Sequence, residues 1–342
     1  MRVMVTGHRG YIGAVLVPML VATGHEVVGL DSNWFADCSF GEPLDFPLAK
    51  EIRKDIREVE VADFDGCEAV LHLAGLSNDP LGNINAGLTE EINERASIRL
   101  AELAKEAGVE RFLFSSSCST YGAAGDAFLD ENASFNPVTP YGISKVKMEA
   151  ALSEMADDGF SPTYLRNATA YGVSPLLRVD LVLNNLVAWA YLTGRIYLMS
   201  DGTPWRPVVH IEDISRAFLA ALSVPRQWAH DQAFNVGRTD QNYQIIEIAE
   251  IVSEVVPDCR IEIAEGAGPD KRSYRVNCDK IARELTDFKP QWDVRRGAEE
   301  LYAAYRERKL TKEDFEGPRY IRLARIKQLI AEGRLSDDLR WR

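Results

Sequence analysis

Three residues close together in the chain have the types and spacing for proton chemistry: Ser117 in RFLFSSSCSTYG, then Tyr141 and Lys145 in TPYGISK. A phenol with an ordinary pKa near roughly 10 is a poor base at neutral pH, and a fixed ammonium beside it stabilises the phenolate and brings that pKa down. Tyr141 then reads as a general base, with Ser117 hydrogen-bonding the same substrate oxygen and Lys145 supplying the charge. A Tyr/Lys pair four residues apart is also an ordinary helix pair, so its meaning depends on the surrounding elements.

The elements that must position them can be read locally. Phe112-Leu113-Phe114 is a short β-prone apolar run, so Ser115, Ser116 and Ser117 fall where a buried parallel strand opens into a crevice. Thr139 suits a helix cap and Pro140 the first helical position, which puts Tyr141 and Lys145 on one face of the helix that follows. That helix carries two apolar stripes, Ile143/Val146/Ala150 and Met148/Leu152/Met155. One more stripe than a core needs points to a subunit interface and a homodimer. Upstream, Ile92, Ala96, Leu100, Leu103 and Ala107 give a helix over Glu91–Gly108.

A second constellation opens the chain. Strand Arg2–Thr6 runs into Gly7-x-x-Gly10-x-x-Gly13, then an apolar helix through Leu20, then strand Glu26–Leu30 ending in Asp31. Glycines at this spacing allow a tight turn, close approach of the backbone to a pyrophosphate, and helix-on-strand packing, with the anion at the helix N-terminus. Gly7, Arg9, Gly10, Tyr11, Ile12 and Gly13 then surround a dinucleotide, and Asp31 accepts from its adenosine ribose. A carboxylate there repels a 2′-phosphate, which favours NAD over NADP, although Arg9 is placed to reach such a phosphate. Asp55 and Ile56, at the end of a third strand, are adenine contacts, with Asp55 equally suited to cap a helix. After a fourth strand, Ala69–Leu73, the residues Leu73, Ala74 and Gly75 let backbone pass over the cofactor, with Ser115 alongside. The loop Leu76–Gly82 faces the same crevice.

The fold expected is α/β: a Rossmann-type doubly wound parallel sheet with a smaller C-terminal α/β substrate lobe. Residues 1–166 form the NAD-binding domain, with segments near 208–237 returning to it; 167–305 form the substrate lobe and 306–342 a charged helical extension without evident chemistry. With 342 residues, 46% hydrophobic and 27% charged, the chain can bury a full core. Its net charge of −13 argues against general nucleic-acid or anionic-membrane binding, so a phosphate-bearing ligand must be held by local groups. No apolar run reaches membrane-span length, and the N-terminal strand is neither a signal nor a transit peptide. The five cysteines are scattered without a C-x-x-C and read as reduced thiols in a cytoplasmic protein; no metal-ligand set is recognised.

Taken together, Gly7-x-x-Gly10-x-x-Gly13 with Asp31, His72-Leu-Ala-Gly75, Ser115-Ser-Ser117 with Tyr121-Gly122, Tyr141-Gly-x-Ser-Lys145 and Trp205-Arg-Pro-Val-Val-His-Ile-Glu-Asp213 resemble the extended short-chain dehydrogenases/reductases of the nucleotide-sugar epimerase and dehydratase type, over about residues 1 to 300. The resemblance makes Ser117, Tyr141 and Lys145 the catalytic set. It implies that Asn185 and Arg206 contact the nucleotide-sugar diphosphate and that Asp270 and Arg272 close over the nucleotide. Asn167 and Thr169 come next to the sugar, Thr169 standing where many relatives carry Asn. A forked guanidinium at Arg206 suits a phosphate on physical grounds as well.

Two positions discriminate among the family's reactions. The dehydratases that the chain resembles carry Asp and Glu after the catalytic hydroxyl, whereas this chain has Cys118 and Ser119 as substrate-facing residues. The pattern, small and without an acid, resembles a 4-epimerase: inversion at C4 of a nucleoside-diphosphate hexose or uronic acid through a transient 4-keto sugar, with NAD regenerated each turnover. A 4-keto reductase using NADPH remains an alternative, as does a dehydratase or decarboxylase drawing its acid/base from elsewhere, such as Asp79. A non-catalytic NAD sensor is disfavoured because Tyr141 and Lys145 are both present.

Overall fold

The computed structural model describes residues 1–77, 85–122, 125, 127–266, 268 and 273–342. Among the described residues the strands in chain order are β1 (Arg2–Thr6), β2 (Glu26–Asp31), β3 (Lys50–Arg53), β4 (Ala69–His72), β5 (Arg111–Ser117), β6 (Phe128–Leu129), β7 (Ser161–Asn167), β8 (Thr169–Tyr171), β9 (Arg195–Leu198), β10 (Trp205–His210), β11 (Gln232–Val236), β12 (Asn242–Gln244), β13 (Arg260–Ile263) and β14 (Arg275–Val276).

Seven of them form one sheet in the order β11-β7-β5-β4-β1-β2-β3, with every pair parallel. The chain builds outward from β1 in one direction through β2 and β3, then returns to lay β4 on its other side. The strand order therefore reverses between β1 and β4, and in an open α/β sheet the ligand crevice lies at that switch, beyond the carboxyl ends of the strands. The Rossmann-type architecture expected from the glycine loop is present.

Alternation along the strands explains why both faces are covered. Val3 and Val5 point into a cluster with Leu16, Leu20, Ile214 and Phe218, from helices Gly13–Ala22 and Ile211–Ser223. Met4 points the other way, into a cluster with Leu100, Met148 and Leu152 from helices Ser97–Glu106 and Pro140–Met155. A third cluster, including Leu183, Val187, Leu198, Val208, Ile248 and Leu301, lies under the smaller β12-β10-β8 and β13-β9 sheets.

Three elements differ from the sequence expectation. The helix read over Glu91–Gly108 is split: Glu90–Ala96 is π-helical and only Ser97–Glu106 is α-helical. The wider register is used by side chains: Ser97 Oγ donates to the Ile92 carbonyl at 3.1 Å, while Asn93 accepts from Leu76 N at 2.7 Å and donates to Leu76 O at 3.0 Å. The inserted residue thus ties the helix to the loop after β4. Strand β3 ends at Arg53, and Asp55 caps a short 3₁₀ turn by accepting from Arg57 N at 2.9 Å.

The C-terminal segment is no surface appendage. Helix Arg322–Ala331 and the turn after it place Ile326, Leu329, Leu335 and Leu339 in the same core as Val28, Leu30 and Val70. Arg57 donates to the carbonyls of Asp338 and Leu339, and Trp341 Nε1 donates to Ser32 O at 2.6 Å. Charged composition hid a buried stripe of helical period. No helix among the described residues is long and apolar enough to cross a membrane.

Candidate active site

Beyond the ends of β1, β4 and β5 lies a cavity of about 950 Å³, lined by residues of the seven-stranded sheet and of the smaller sheets. At its first wall, Gly7 has φ +74, and a Cβ there would lie 2.9 Å from Ala74 N; one at Gly13 would lie 2.4 Å from Gly7 O. These two positions accept no side chain, so bare backbone and the N-terminus of helix Gly13–Ala22 face the cavity, a cradle suited to an anion. Gly10, Tyr11 and Ile12 line it too, with the Tyr11 hydroxyl committed to the Gly172 carbonyl at 2.7 Å.

Asp31 is held by backbone: Oδ2 accepts from Arg9 N at 3.0 Å and Oδ1 from Asn33 N at 2.7 Å. Its carboxylate is thereby fixed at the cavity edge. The Arg9 guanidinium, which on sequence could have reached a 2′-phosphate, is instead bound to Glu51 across β3, with Nε 2.5 Å from Oε1. That pairing raises the Arg9 pKa and lowers that of Glu51. With its arginine engaged and its acid aimed inward, this wall fits NAD rather than NADP. Asp55, Ile56, Leu73, Ala74 and Gly75 complete it.

At the centre, the Thr139 hydroxyl caps helix Pro140–Met155 by accepting from Gly142 N at 3.1 Å, and the helix brings Tyr141 and Lys145 to the cavity. Lys145 is buried; its Nζ donates to the Ser115 carbonyl at 2.7 Å and lies 5.5 Å from the Tyr141 ring centroid. Burial pulls its pKa down to about 8, against the opposing charge of Glu149. Ser117 lines the cavity and caps the next turn by accepting from Ser119 N at 3.1 Å. Ser115 Oγ accepts from Asn167 Nδ2 at 3.1 Å.

Beneath these groups, Glu149 binds Arg166 through Oε1 and Oε2 and accepts from Ser116 Oγ at 2.5 Å. His72 lies between Thr6 and Ser97. Because Ser97 Oγ spends its proton on Ile92 O, it accepts from His72 Nε2 at 2.9 Å, and Nδ1 accepts from Thr6 Oγ1 at 2.8 Å. Burial and the nearby Lys145 hold His72 neutral, pushed down to about 3.

The structure brings together Ser117, Ser119, Asn167, Thr169, Asn185 and Arg206 around the same space. Asn185 Nδ2 donates to Val179 O at 3.0 Å, and Arg206 Nη1 to Trp205 O at 2.9 Å. Cys118 is not among them. The turn after β5 rotates its side chain inward, where it is fully buried and donates to Arg166 O at 3.0 Å, its thiol pKa pushed far up by burial. Asp270, Arg272 and Asp79 lie outside the described residues. Among the described residues, the Ser119 hydroxyl and Asn167 Oδ1 are buried at the cavity without a protein partner, as groups awaiting a ligand would be.

Several lining residues escaped sequence reasoning. Arg178 is buried and bidentate to Asp180 at 2.9 and 3.0 Å, donates to Ser77 Oγ at 3.1 Å, and lines the same cavity as Tyr141. A charge pair inside the apolar run Pro175–Leu183 was the available signal. Arg322 and Ile326 come from the C-terminal helix and Trp34 and Phe35 from the loop after β2; nothing in their local sequence marks them.

The parallel sheet, the glycine cradle at its switch point and the Ser/Tyr/Lys set define a dinucleotide-dependent enzyme of Rossmann type. Residues 3–237 match the model of the NAD dependent epimerase/dehydratase family. The chain belongs to that family, and its cofactor is NAD. It is 27% identical over 335 residues to UDP-glucose 4-epimerase of Bacillus subtilis, covering 89% of this chain and 95% of that one. It is also 25% identical over 326 residues to UDP-glucuronic acid decarboxylase 1 of Arabidopsis thaliana, covering 93% and 72%. Among solved structures, MoeE5 in complex with UDP-glucuronic acid and NAD superposes with a TM-score of 0.78 at 28% identity, over 90% of this chain and 99% of that one.

Proposed function

We propose that the protein is an NAD-dependent nucleotide-sugar 4-epimerase. The observation that carries the reading is that, among the described residues, no uncommitted acid stands beside the hydroxyl set. Cys118 is turned away, Ser119 is neutral, and among the described residues the carboxylates lining the cavity are Asp31, Asp55 and Asp180. Asp31 is held at the glycine-loop wall, Asp55 is paired with Arg57 at 2.7 Å, and Asp180 with Arg178. Elimination or proton exchange at C3 or C5 needs an acid/base that these positions do not offer, whereas inversion at C4 needs only a base for one hydroxyl.

In this reading Tyr141 takes the C4 hydroxyl proton, Ser117 orients the oxygen, and the Lys145 ammonium favours the phenolate. NAD held by the glycine loop and Asp31 would supply a reversible hydride acceptor for C4. The Ser119 side leaves room for the keto sugar to turn. Asn185 and Arg206 bind the substrate diphosphate. The stripe Ile143, Val146 and Ala150, exposed at its two ends and half-buried at Val146, serves as a homodimer face, and the protein works in the cytoplasm.

Incubation with NAD and a panel of nucleotide sugars in D2O, read by mass and proton NMR, tests the proposal. A product of unchanged mass, inverted at C4 and without carbon-bound deuterium, is expected. Loss of water or carbon dioxide, or deuterium at C3 or C5, would replace the 4-epimerase reading by a dehydratase, decarboxylase or 3,5-epimerase.

A further inference from the structure

Arg322 is the one cation lining the cavity, among the described residues, that is both buried to 3% exposure and engaged by the protein at a single guanidinium nitrogen. Its Nη2 donates to Leu176 O at 2.9 Å, and its guanidinium carbon lies 4.0 Å from the Phe35 ring centroid. Nη1 is buried without a partner, and no carboxylate stands within ion-pair distance among the described residues. The contrast with its neighbours is direct: Arg9 is paired with Glu51 and Arg178 with Asp180.

A buried guanidinium without an ion pair is costly to a fold, and a ligand that brings the opposite charge offsets that cost. The position of Arg322 says which ligand. It lies over Phe35, in the loop that follows Asp31, and Leu176, whose carbonyl it binds, clusters with Ala14 at the start of the glycine-loop helix; burial and then Arg178 lower its pKa, while Asp180 and Asp31 oppose that. Trp34 Nε1 is likewise buried without a partner. The backbone cradle supplies N–H dipoles to a diphosphate but no formal charge, and the arginine inside the glycine loop is occupied by Glu51.

We propose that Arg322, carried by the C-terminal helix, binds the diphosphate of the dinucleotide together with the glycine loop. The C-terminal segment is thus part of the cofactor site. Its helix is anchored through Ile326 and Leu329 in the core and through the Arg325–Asp37 pair at 3.0 Å, so the guanidinium is held in place before the ligand arrives. The assignment rests on NAD occupying this side of the cavity. It is independent of the reaction at the sugar, so a failed epimerase assay leaves it intact, and unchanged NAD affinity would leave the 4-epimerase reading intact.

Calorimetric titration of nucleotide-depleted full-length protein with NAD, adenosine and UDP tests it in wild type, Arg322→Gln, Arg322→Met and the exposed control Lys327→Ala. Loss of a charge-assisted contact should weaken NAD about 10- to 100-fold in both Arg322 variants, with adenosine and UDP unchanged and Lys327→Ala like wild type. The ligand-free variants should melt no lower than wild type, because a buried unpaired charge has been removed. Unchanged NAD affinity in either folded variant overturns the proposal. Adenosine weakened as much as NAD would make Arg322 a packing residue, and UDP weakened in place of NAD would assign it to the substrate's diphosphate; either result also overturns it.

Discussion

Lys145 Nζ stands 2.7 Å from the Ser115 carbonyl oxygen and 5.5 Å from the centroid of the Tyr141 ring, so one hydrogen bond to the strand end fixes the ammonium beside the phenol. The strand that carries the serines and the helix that carries the pair are thereby joined here, and again one turn on through Ser116 Oγ and Glu149.

If Tyr141 is the base, Tyr141→Phe removes proton transfer without touching the glycine cradle. Turnover should fall about 10²- to 10⁴-fold while NAD still titrates with wild-type affinity. Steady-state rates beside calorimetry decide it; activity within a few-fold of wild type would take Tyr141 out of the base role.

Burial of Lys145 also shapes stability. Its pKa is about 8 folded, against an ordinary value near 10.5, so between these the unfolded chain binds the extra proton. Stability from this group therefore rises as pH climbs from about 8 to 10.5, by a total on the order of 3 kcal/mol. Melting temperatures of ligand-free wild type and Lys145→Met, compared across that range, should diverge in favour of wild type as pH increases. Parallel curves would mean that the amine is solvated.

His72 works in the acid range. It is neutral in the fold with a pKa of about 3 against 6.5, so the unfolded chain takes up the proton first. Stability is lost as pH falls from about 6.5 toward 3, at about 1.4 kcal/mol per pH unit from this residue. His72→Asn should flatten the wild-type decline in that window, as followed by urea unfolding at fixed pH values; an unchanged slope would assign the acid sensitivity elsewhere.

Glu149 and Arg166, both nearly excluded from solvent, face each other at 2.7 Å beneath Ser116. Glu149→Ala strands the guanidinium and should cost about 3–5 kcal/mol, while Glu149→Leu with Arg166→Met should cost far less. Denaturant midpoints of the three proteins test this, and equal losses in single and double variants would show that the pair is not coupled.

Much of the site was legible because it is local. The order strand, glycine loop, helix, strand, acid is contiguous, and each part carries its own signal: period, turn residue, cap. The same holds for Thr139-Pro140-Tyr141 with Lys145, where a cap and a helical repeat alone bring the two side chains to one face. The misreadings arose where a side chain's direction depends on a distant partner. Cys118 is next to Ser117 in sequence, yet the turn after β5 aims it at Arg166 O, and the spacing that lets Arg9 reach a 2′-phosphate does not reveal that Glu51 holds it from a neighbouring strand.

The sequence by itself determined the parallel sheet's start, the dinucleotide cradle and the Ser/Tyr/Lys set, since backbone freedom, caps and periodicity act over a few residues. Only the tertiary structure decided that Arg178 lines the cavity with Tyr141, that Asp55 is spent on Arg57, and that Arg322, from the far end of the chain, lines the pocket beside Phe35. Those relationships are set by burial of apolar residues hundreds of positions apart, such as Ile326 against Val28 and Val70. Burial of that kind follows from how helices and strands stack, which no local spacing encodes.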